Sequence, residues 1–345
     1  MDRGLIHMRQ MAHRLYQLFS HEDRLLIVID PDPDAIASAL ALKRLLWHRL
    51  TSCTIAPVRP ITRPQNQRMV QLLSIGLTPL QELQPADFNR KALVDNQPHH
   101  HELLGCYDYD VVIDHHPRSP ETKARLVDIR PDYGATATIL TEYLREARIK
   151  PSLKLATALY YGIKTDTANF ERPASEADVR AFHYLFGFTR RPLVRRLEYA
   201  EFNIPMLGYF QQALNRFRIR HNRLYTYLGP VSTPDILVIL ADFFLRAGEI
   251  SWTIVGGIYR DKLIVIFRND GLRKNAGRLA SRAFGRLGSA GGHAASARAE
   301  VPLDNTHMNP IARWQEWQDF IIQRVEKHGR LQAPGPEEEL TKTAG

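Results

Sequence analysis

The stretch "LLIVIDPDPDAIASALALKRLL", Leu25 to Leu46, passes from an apolar run to a helical pattern through aspartates at alternate positions, Asp30, Asp32 and Asp34. The run Leu25–Ile29 reads as a strand buried on both faces, and the pattern over Ala35–Leu50 as the helix that follows it. The same alternation recurs along the first half. Short apolar runs at Ala92–Val94, Val111–Ile113 and Leu126–Ile129 are expected strands; Gln65–Ile75, Ala135–Ala147, Leu153–Ile163 and Glu176–Phe186 are expected helices. Ser175 and Asp178 form a capping box for the last of these. Strands alternating with helices predict an α/β domain, a parallel sheet with flanking helices.

The second half changes style after a basic helical connector over Thr189–Tyr199. It reads as helix (Pro205–Phe217), strand (Arg223–Leu228), helix (Asp235–Leu245), then two β-rich runs, "SWTIVGGIYR" and "KLIVIFRN". A helix (Ala276–Leu287), a glycine turn and a helix (Ile311–Glu326) complete it. The expectation is a smaller α/β domain over residues 201–328, after a first domain over 1–200 that includes the connector. "QAPGPEEELTKTAG" predicts a disordered tail over 329–345.

Composition narrows the function classes. The chain has 345 residues and is 44% hydrophobic, as globular domains are. No apolar segment is long enough to span a bilayer, and the amphipathic start, MDRGLIHMRQMAHRLYQLF, is unlike a secretory signal, so no membrane association and a cytoplasmic location are expected. Cys53 and Cys106 are too few for a disulfide framework. The net charge of +9 is uneven. Between Arg260 and Glu300 nine basic residues face three acidic ones, which favours a polyanionic partner.

In an open parallel sheet, ligands bind beyond the carboxyl ends of the strands. Asp30, Asp32 and Asp34 follow the first strand, Asp95 ends "KALVD", and Asp114 ends "YDVVID". Carboxylates brought to one edge repel unless a cation sits among them. "DHHP" adds His115 and His116, and Asp166 ends the helical pattern of "YYGIKTD". Oxygen ligands with one or two imidazoles suit Mn²⁺ or Mg²⁺. "PHHH", Pro98 to His101, reads instead as a loop flanking the cleft, because adjacent histidines rarely converge on one ion. Arg130 and Gly134 precede a helix whose amino terminus could hold a phosphate, or Gly134 could serve close packing. Lys43, Arg44 and Arg49 read as a solvated helix face.

"DPDPDAIAS", "LVDN", "IDHH", "GATATIL", "GIKTDT" and, later, "GSAGGHAASA" follow one another in the order and spacing of the DHH phosphoesterases with their DHH-associated carboxyl-terminal domain. The resemblance runs from about Leu25 to Ala299. It implies two Mn²⁺ ions, or Mg²⁺, and hydrolysis of phosphoesters or phosphoanhydrides. The resemblance also places the functional cleft between the two domains. Carried over by motif, Asp32 binds the first metal, Asp34 the second, and Asp95 bridges or approaches both, while His115 and Asp166 complete the ligands of the second metal. Asp114 orients the histidines, and His116 faces the scissile phosphate and assists the departing oxygen. Many relatives that act on short substrates carry a histidine where this chain has Val28. The RecJ-type members use D-x-D-x-D instead, which "DPDPD" matches, so Asp30 is expected to replace the missing ligand.

In the second domain the resemblance gives Ser289, Gly291, Gly292 and His293 a substrate-binding role on a turn, with Ala290 standing at the family's first glycine. Arg268 falls where relatives carry a substrate-binding arginine. The function implied is a two-metal phosphodiesterase or phosphatase for short nucleotide substrates: oligoribonucleotides, pAp or linear dinucleotides. A RecJ-type single-strand DNA exonuclease and a non-catalytic nucleotide-binding regulator stand as alternatives. A homodimer is the assembly considered.

Overall fold

The computed structural model describes residues 3–199, 204–271, 275–308 and 313–329. It divides into two compact units, Met1–Glu201 and Phe202–Gly345. The expected domain junction near residue 200 lies outside the described residues, as does the expected tail over 329–345 apart from Gly329, which ends a helix.

The first unit runs α1 (Arg3–Gln17), β1 (Arg24–Ile29), α2 (Pro33–Leu45), β2 (Ser52–Pro57), α3 (Pro64–Leu73), β3 (Arg90–Val94), β4 (Tyr109–Asp114), β5 (Ala124–Ile129), α4 (Thr136–Glu146), α5 (Leu153–Asp166), α6 (Glu176–Phe186) and α7 (Arg191–Glu198). Its five strands are all parallel, in the order β2-β1-β3-β4-β5. After Arg24, strand β1 is apolar because both of its faces are covered. Leu25, Ile27 and Ile29 pack with residues of α2, α4 and α5, whereas Leu26 and Val28 join Ala56, Leu93 and Val112 on the other side. Strand β2, "SCTIAP", was not among the expected strands. It is only half apolar, as befits a sheet edge. The capping box of α6 forms as expected.

This strand order fixes where a ligand can bind. From β1 the chain moves outward to β2, then crosses back to place β3 on the other side of β1. The sheet therefore reverses direction between β1 and β3, and the loops leaving their carboxyl ends diverge to open a crevice. The aspartates of "DPDPD" and Asp95 follow those two ends.

The second unit runs α8 (Leu207–Arg216), β6 (Arg218–Arg220), β7 (Arg223–Pro230), α9 (Asp235–Leu245), β8 (Trp252–Tyr259), β9 (Lys262–Asn269), α10 (Ala276–Phe284), β10 (Ser289–Gly292), β11 (Ser296–Pro302) and α11 (Trp314–Gly329). A mixed six-stranded sheet, in the order β10-β11-β9-β8-β7-β6, is buried by two apolar layers. Tyr225, Phe267, Phe284 and Trp317 belong to one layer, and Leu224, Leu240, Ile264 and Ile266 to the other. The chain is thus α/β in both units. The expected glycine turn is corrected: Ser289–Gly292 is an edge strand paired antiparallel with β11. With three glycines in five residues, "GSAGG" has no apolar periodicity by which a strand would show itself. Among the described residues, no helix is long and apolar enough to cross a membrane.

Candidate metal centre

Proline shapes the "DPDPD" turn. Pro33 opens α2, where a missing N–H costs nothing, and Asp32 caps that helix by accepting from the Ala35 amide at 2.8 Å. Asp34 falls in the first turn and is buried. Its two oxygens accept from the amides of Thr136 and Ala137, at 2.7 and 2.8 Å. The positive end of α4 therefore serves Asp34, where a phosphate had been considered. Gly162 of α5 lets this turn sit close, since a Cβ there would come within 3.1 Å of Asp34 Oδ1. Gly134 is likewise a packing residue: a Cβ would lie 2.7 Å from Thr167 Cγ2. Arg130 is held by Asp128 and Glu142.

Asp95 follows β3 with φ of +61°, a left-handed conformation that aspartate tolerates better than most residues. It is buried and accepts from Thr136 Oγ1 at 2.8 Å. At the end of β4, Asp114 is fully buried and takes Gln97 Nε2 at 2.7 Å and His116 Nδ1 at 2.8 Å. His115 donates from Nδ1 to the Tyr133 carbonyl at 3.0 Å. Because a carbonyl can only accept, Nδ1 carries a proton, and Nε2, which faces the carboxylates, offers a lone pair once a cation takes the place of its own proton. That Nε2 is buried and makes no well-directed hydrogen bond, although Asp166 Oδ2 lies 2.8 Å away and Asp95 Oδ1 3.7 Å away.

The electrostatics agree with this geometry. Burial and neighbouring carboxylates push Asp32 up to about 6 and Asp34 to about 7, and Asp95 well above the ordinary aspartate range. Burial alone would disfavour a charged His115, yet Asp166 and Asp34 outweigh it and raise its pKa to about 9. Burial would also raise Asp114, but the His116 and Gln97 hydrogen bonds prevail and hold it low. Asp114 in turn raises His116. The cluster demands positive charge, and its donors, carboxylate oxygens and a lone imidazole nitrogen, are those of Mn²⁺ or Mg²⁺.

Ligand atoms within 4.8 Å of one another define three triples among the described residues: Asp34, His115 and Asp166; Asp95, His115 and His116; and His100, Asp114 and His116. Asp32 and Asp30 fall outside them. Asp30 accepts from Arg59 through both of its oxygens, from Nε and, at 2.9 Å, from Nη2. His100 and Gln97 were not foreseen. A short 3-10 turn over Pro98–His100 brings His100 against His116, ring centroids 5.2 Å apart, so one histidine of "PHHH" reaches the cluster. Nothing in "NQPHHH" distinguishes His100 from its neighbours, and Gln97 carries no charge to mark it.

The second unit's candidates are a separate matter. Arg268 donates to Asp242 Oδ1 at 2.7 Å and to the Phe267 carbonyl. Ser289 and His293 are exposed. Gly292, at φ of +147°, and Gly277 of α10 let that helix press on the hairpin, since a Cβ on Gly277 would meet Gly292 O at 2.1 Å. Gly291 differs, its nearest atom to an added Cβ being Ser281 Oγ at 3.9 Å.

Residues 24–163 match the model of the DHH family, N-terminal domain. An uncharacterized protein of Methanocaldococcus jannaschii, MJ1633, is 37% identical over 276 residues, which are 80% of this chain and 57% of that protein. The cyclic-di-AMP phosphodiesterase GdpP of Geobacillus thermodenitrificans is 28% identical over 205 residues, 53% of this chain and 30% of its own. The chain thus spans less than two thirds of either relative. The crystal structure of an exopolyphosphatase-related protein from Bacteroides fragilis shares the fold at a TM-score of 0.71 and 14% identity, covering 93% of this chain and 96% of that one.

Proposed function

Since residues 24–163 form an N-terminal domain of the DHH family, we propose that this protein is a phosphoesterase that uses two divalent cations, Mn²⁺ or Mg²⁺, to hydrolyse short nucleotide substrates. The observation that carries the reading is the buried Nε2 of His115, its ring held by the Nδ1 hydrogen bond to Tyr133, among the carboxylates of Asp34, Asp95 and Asp166. In this reading Asp32, Asp34, Asp95, His115 and Asp166 hold the metals, with Asp30 beside Asp32. Divalent cations held there would supply Lewis acidity toward a phosphate and a water of lowered pKa.

The chain's own residues do the rest. Asp114 fixes the His116 ring through Nδ1 and, by favouring the imidazolium, keeps a proton available on the far nitrogen for a departing oxygen. Gln97 anchors Asp114 while its Oε1 accepts from the Ser119 amide and Thr122, so the pair is held from behind. Ser289, Gly291, Gly292, His293 and Arg268 are proposed to bind the far part of the substrate, for which Arg268 would exchange Asp242 for an anion. A nucleotide substrate is also supported by the GdpP relative, named for a cyclic dinucleotide.

A panel of labelled di- to pentaribonucleotides, pAp, linear and cyclic dinucleotides, single-stranded DNA and polyphosphate, assayed with each metal, tests the reading. Turnover confined to the short nucleotides is the expected outcome. Preference for long DNA or polyphosphate, or no turnover at all, overturns it.

A further inference from the structure

A cavity of about 410 Å³ lies within the first unit, beside the carboxylate cluster but formed by none of its ligands. Its walls include Pro33, Arg63, Gln65, Lys164, Asn169 and Glu198. Pro33 stands between Asp32 and Asp34, and Lys164 is two residues from Asp166, so cavity and cluster share the same two backbone turns. We propose that this cavity takes the nucleobase of the nucleotide whose phosphate is bound at the cluster. The proposal rests on the phosphoesterase reading for the phosphate's place and goes beyond it in naming what the neighbouring space recognises.

Two observations support a base. The lining mixes signs and hydrogen-bonding types: Arg63 and Lys164 are cationic, Glu198 is anionic and paired with Lys164, and Gln65 and Asn169 carry amides. A carboxylate in the wall opposes a second phosphate, whereas a heterocycle presents donors and acceptors that amides can match on one edge. The amide side chains of Gln65 and Asn169 have no hydrogen-bond partner among the described residues. The cavity's size is that of ordinary small-ligand sites.

The second observation is backbone strain. Ala168, Asn169 and Phe170 take φ of +47°, +58° and +66°, three consecutive left-handed residues without a glycine. Such a turn is strained and persists only where its surroundings impose it. Here Thr167 Oγ1 accepts from the Phe170 amide at 3.2 Å, and the Phe170 ring packs edge-on against Phe182. The turn aims Asn169 at the cavity immediately after Asp166. Strain of this kind concentrates where a side chain must be presented to a ligand.

The test is binding of 5′-mononucleotides and of ribose 5-phosphate to the full-length, Mn²⁺-loaded protein, with Gln65→Ala and Asn169→Gly as variants. Glycine accepts the left-handed conformation, so Asn169→Gly removes the amide and keeps the turn. At least one mononucleotide should bind about tenfold or more tighter than ribose 5-phosphate, and each variant should shrink that ratio several-fold. Equal binding of mononucleotides and ribose 5-phosphate overturns the proposal, as does a ratio that both variants leave intact. Because the readout is a binding ratio, it stands apart from hydrolysis: a base preference sensitive to the variants in a protein that cleaves nothing removes the phosphoesterase reading and keeps the subsite.

Discussion

The sheet edge of the first unit and the glycine hairpin of the second were both marked by motif, yet their side chains are in opposite circumstances. Asp34 and Asp95 are buried, and beyond a few amide and hydroxyl donors and the His115 imidazole they face other carboxylates. Burying that much negative charge is costly, and only a cation relieves it. At the hairpin, Ser289 and His293 are exposed, and Arg268 already has Asp242. Two of the hairpin's glycine contacts are explained by packing alone. A buried charge that the fold does not neutralise therefore points to function more sharply than a missing Cβ, because both packing and ligand binding select for glycine.

The strongest way to break this comparison is to remove the lone imidazole. His115→Ala should lower kcat/KM by at least about a hundredfold in a Mn²⁺ assay, with the protein still folded by circular dichroism. A fall comparable with that of Arg268→Ala would mean the sheet edge is no more functional than the hairpin.

Metal removal gives the next effect, and its sign depends on pH. Asp32 and Asp34 titrate in the folded protein at about 6 and about 7, above the ordinary aspartate value of 3.8. Between those values the native state binds more protons than the unfolded state, so without metal its stability falls as pH rises through that window. His115, raised to about 9, acts in the same direction above its ordinary 6.5. The melting temperature of EDTA-treated protein should drop from pH 5 to pH 7.5, and Mn²⁺ should raise it more at pH 7.5. A Mn²⁺ shift that is equal at both pH values would remove the carboxylate cluster as its origin.

The hairpin is sharpened by its own pair of glycines. Gly292→Ala places a Cβ 2.4 Å from Ser296 O at φ of +147° and should cost about 2 kcal/mol or more in denaturant unfolding. Gly291→Ala meets nothing closer than 3.9 Å and should cost less than about 0.5 kcal/mol. If Gly291→Ala nonetheless weakens nucleotide binding, the hairpin has a binding role that packing does not explain.

How much of this was legible in the sequence follows from the same contrast. The strand ends with Asp95 and Asp114 stood out because a charge closing an apolar run has few bland explanations. Strand β2 did not, for only half of "SCTIAP" is apolar, and β10 did not, for glycine has no side chain to show a period. Gln97, His100 and Thr136 reach the cluster through loop and helix-end geometry that no spacing rule encodes. Arg59 was missed because its partner Asp30 lies across a β-strand crossover, 29 residues away.

That pairing sets the smallest effect. Arg59 grips Asp30, but the Asp30 charge still raises Asp32, so a cation at Asp32 feels whatever part of it Arg59 leaves uncancelled. Asp30→Asn removes an attraction and should raise the Mn²⁺ concentration for half-maximal activity by a few-fold, within the range of a partly exposed charge pair of about 1 kcal/mol. Arg59→Ala should act oppositely, since it leaves the carboxylate in place and removes the competing cation. A turn-capping role for Asp30 predicts neither shift, because asparagine caps as well as aspartate. Opposite shifts in the two variants place Asp30 in the field of the metals, whereas an unchanged Mn²⁺ dependence in Asp30→Asn assigns it to Arg59 alone and leaves the position of Val28 without a substitute ligand.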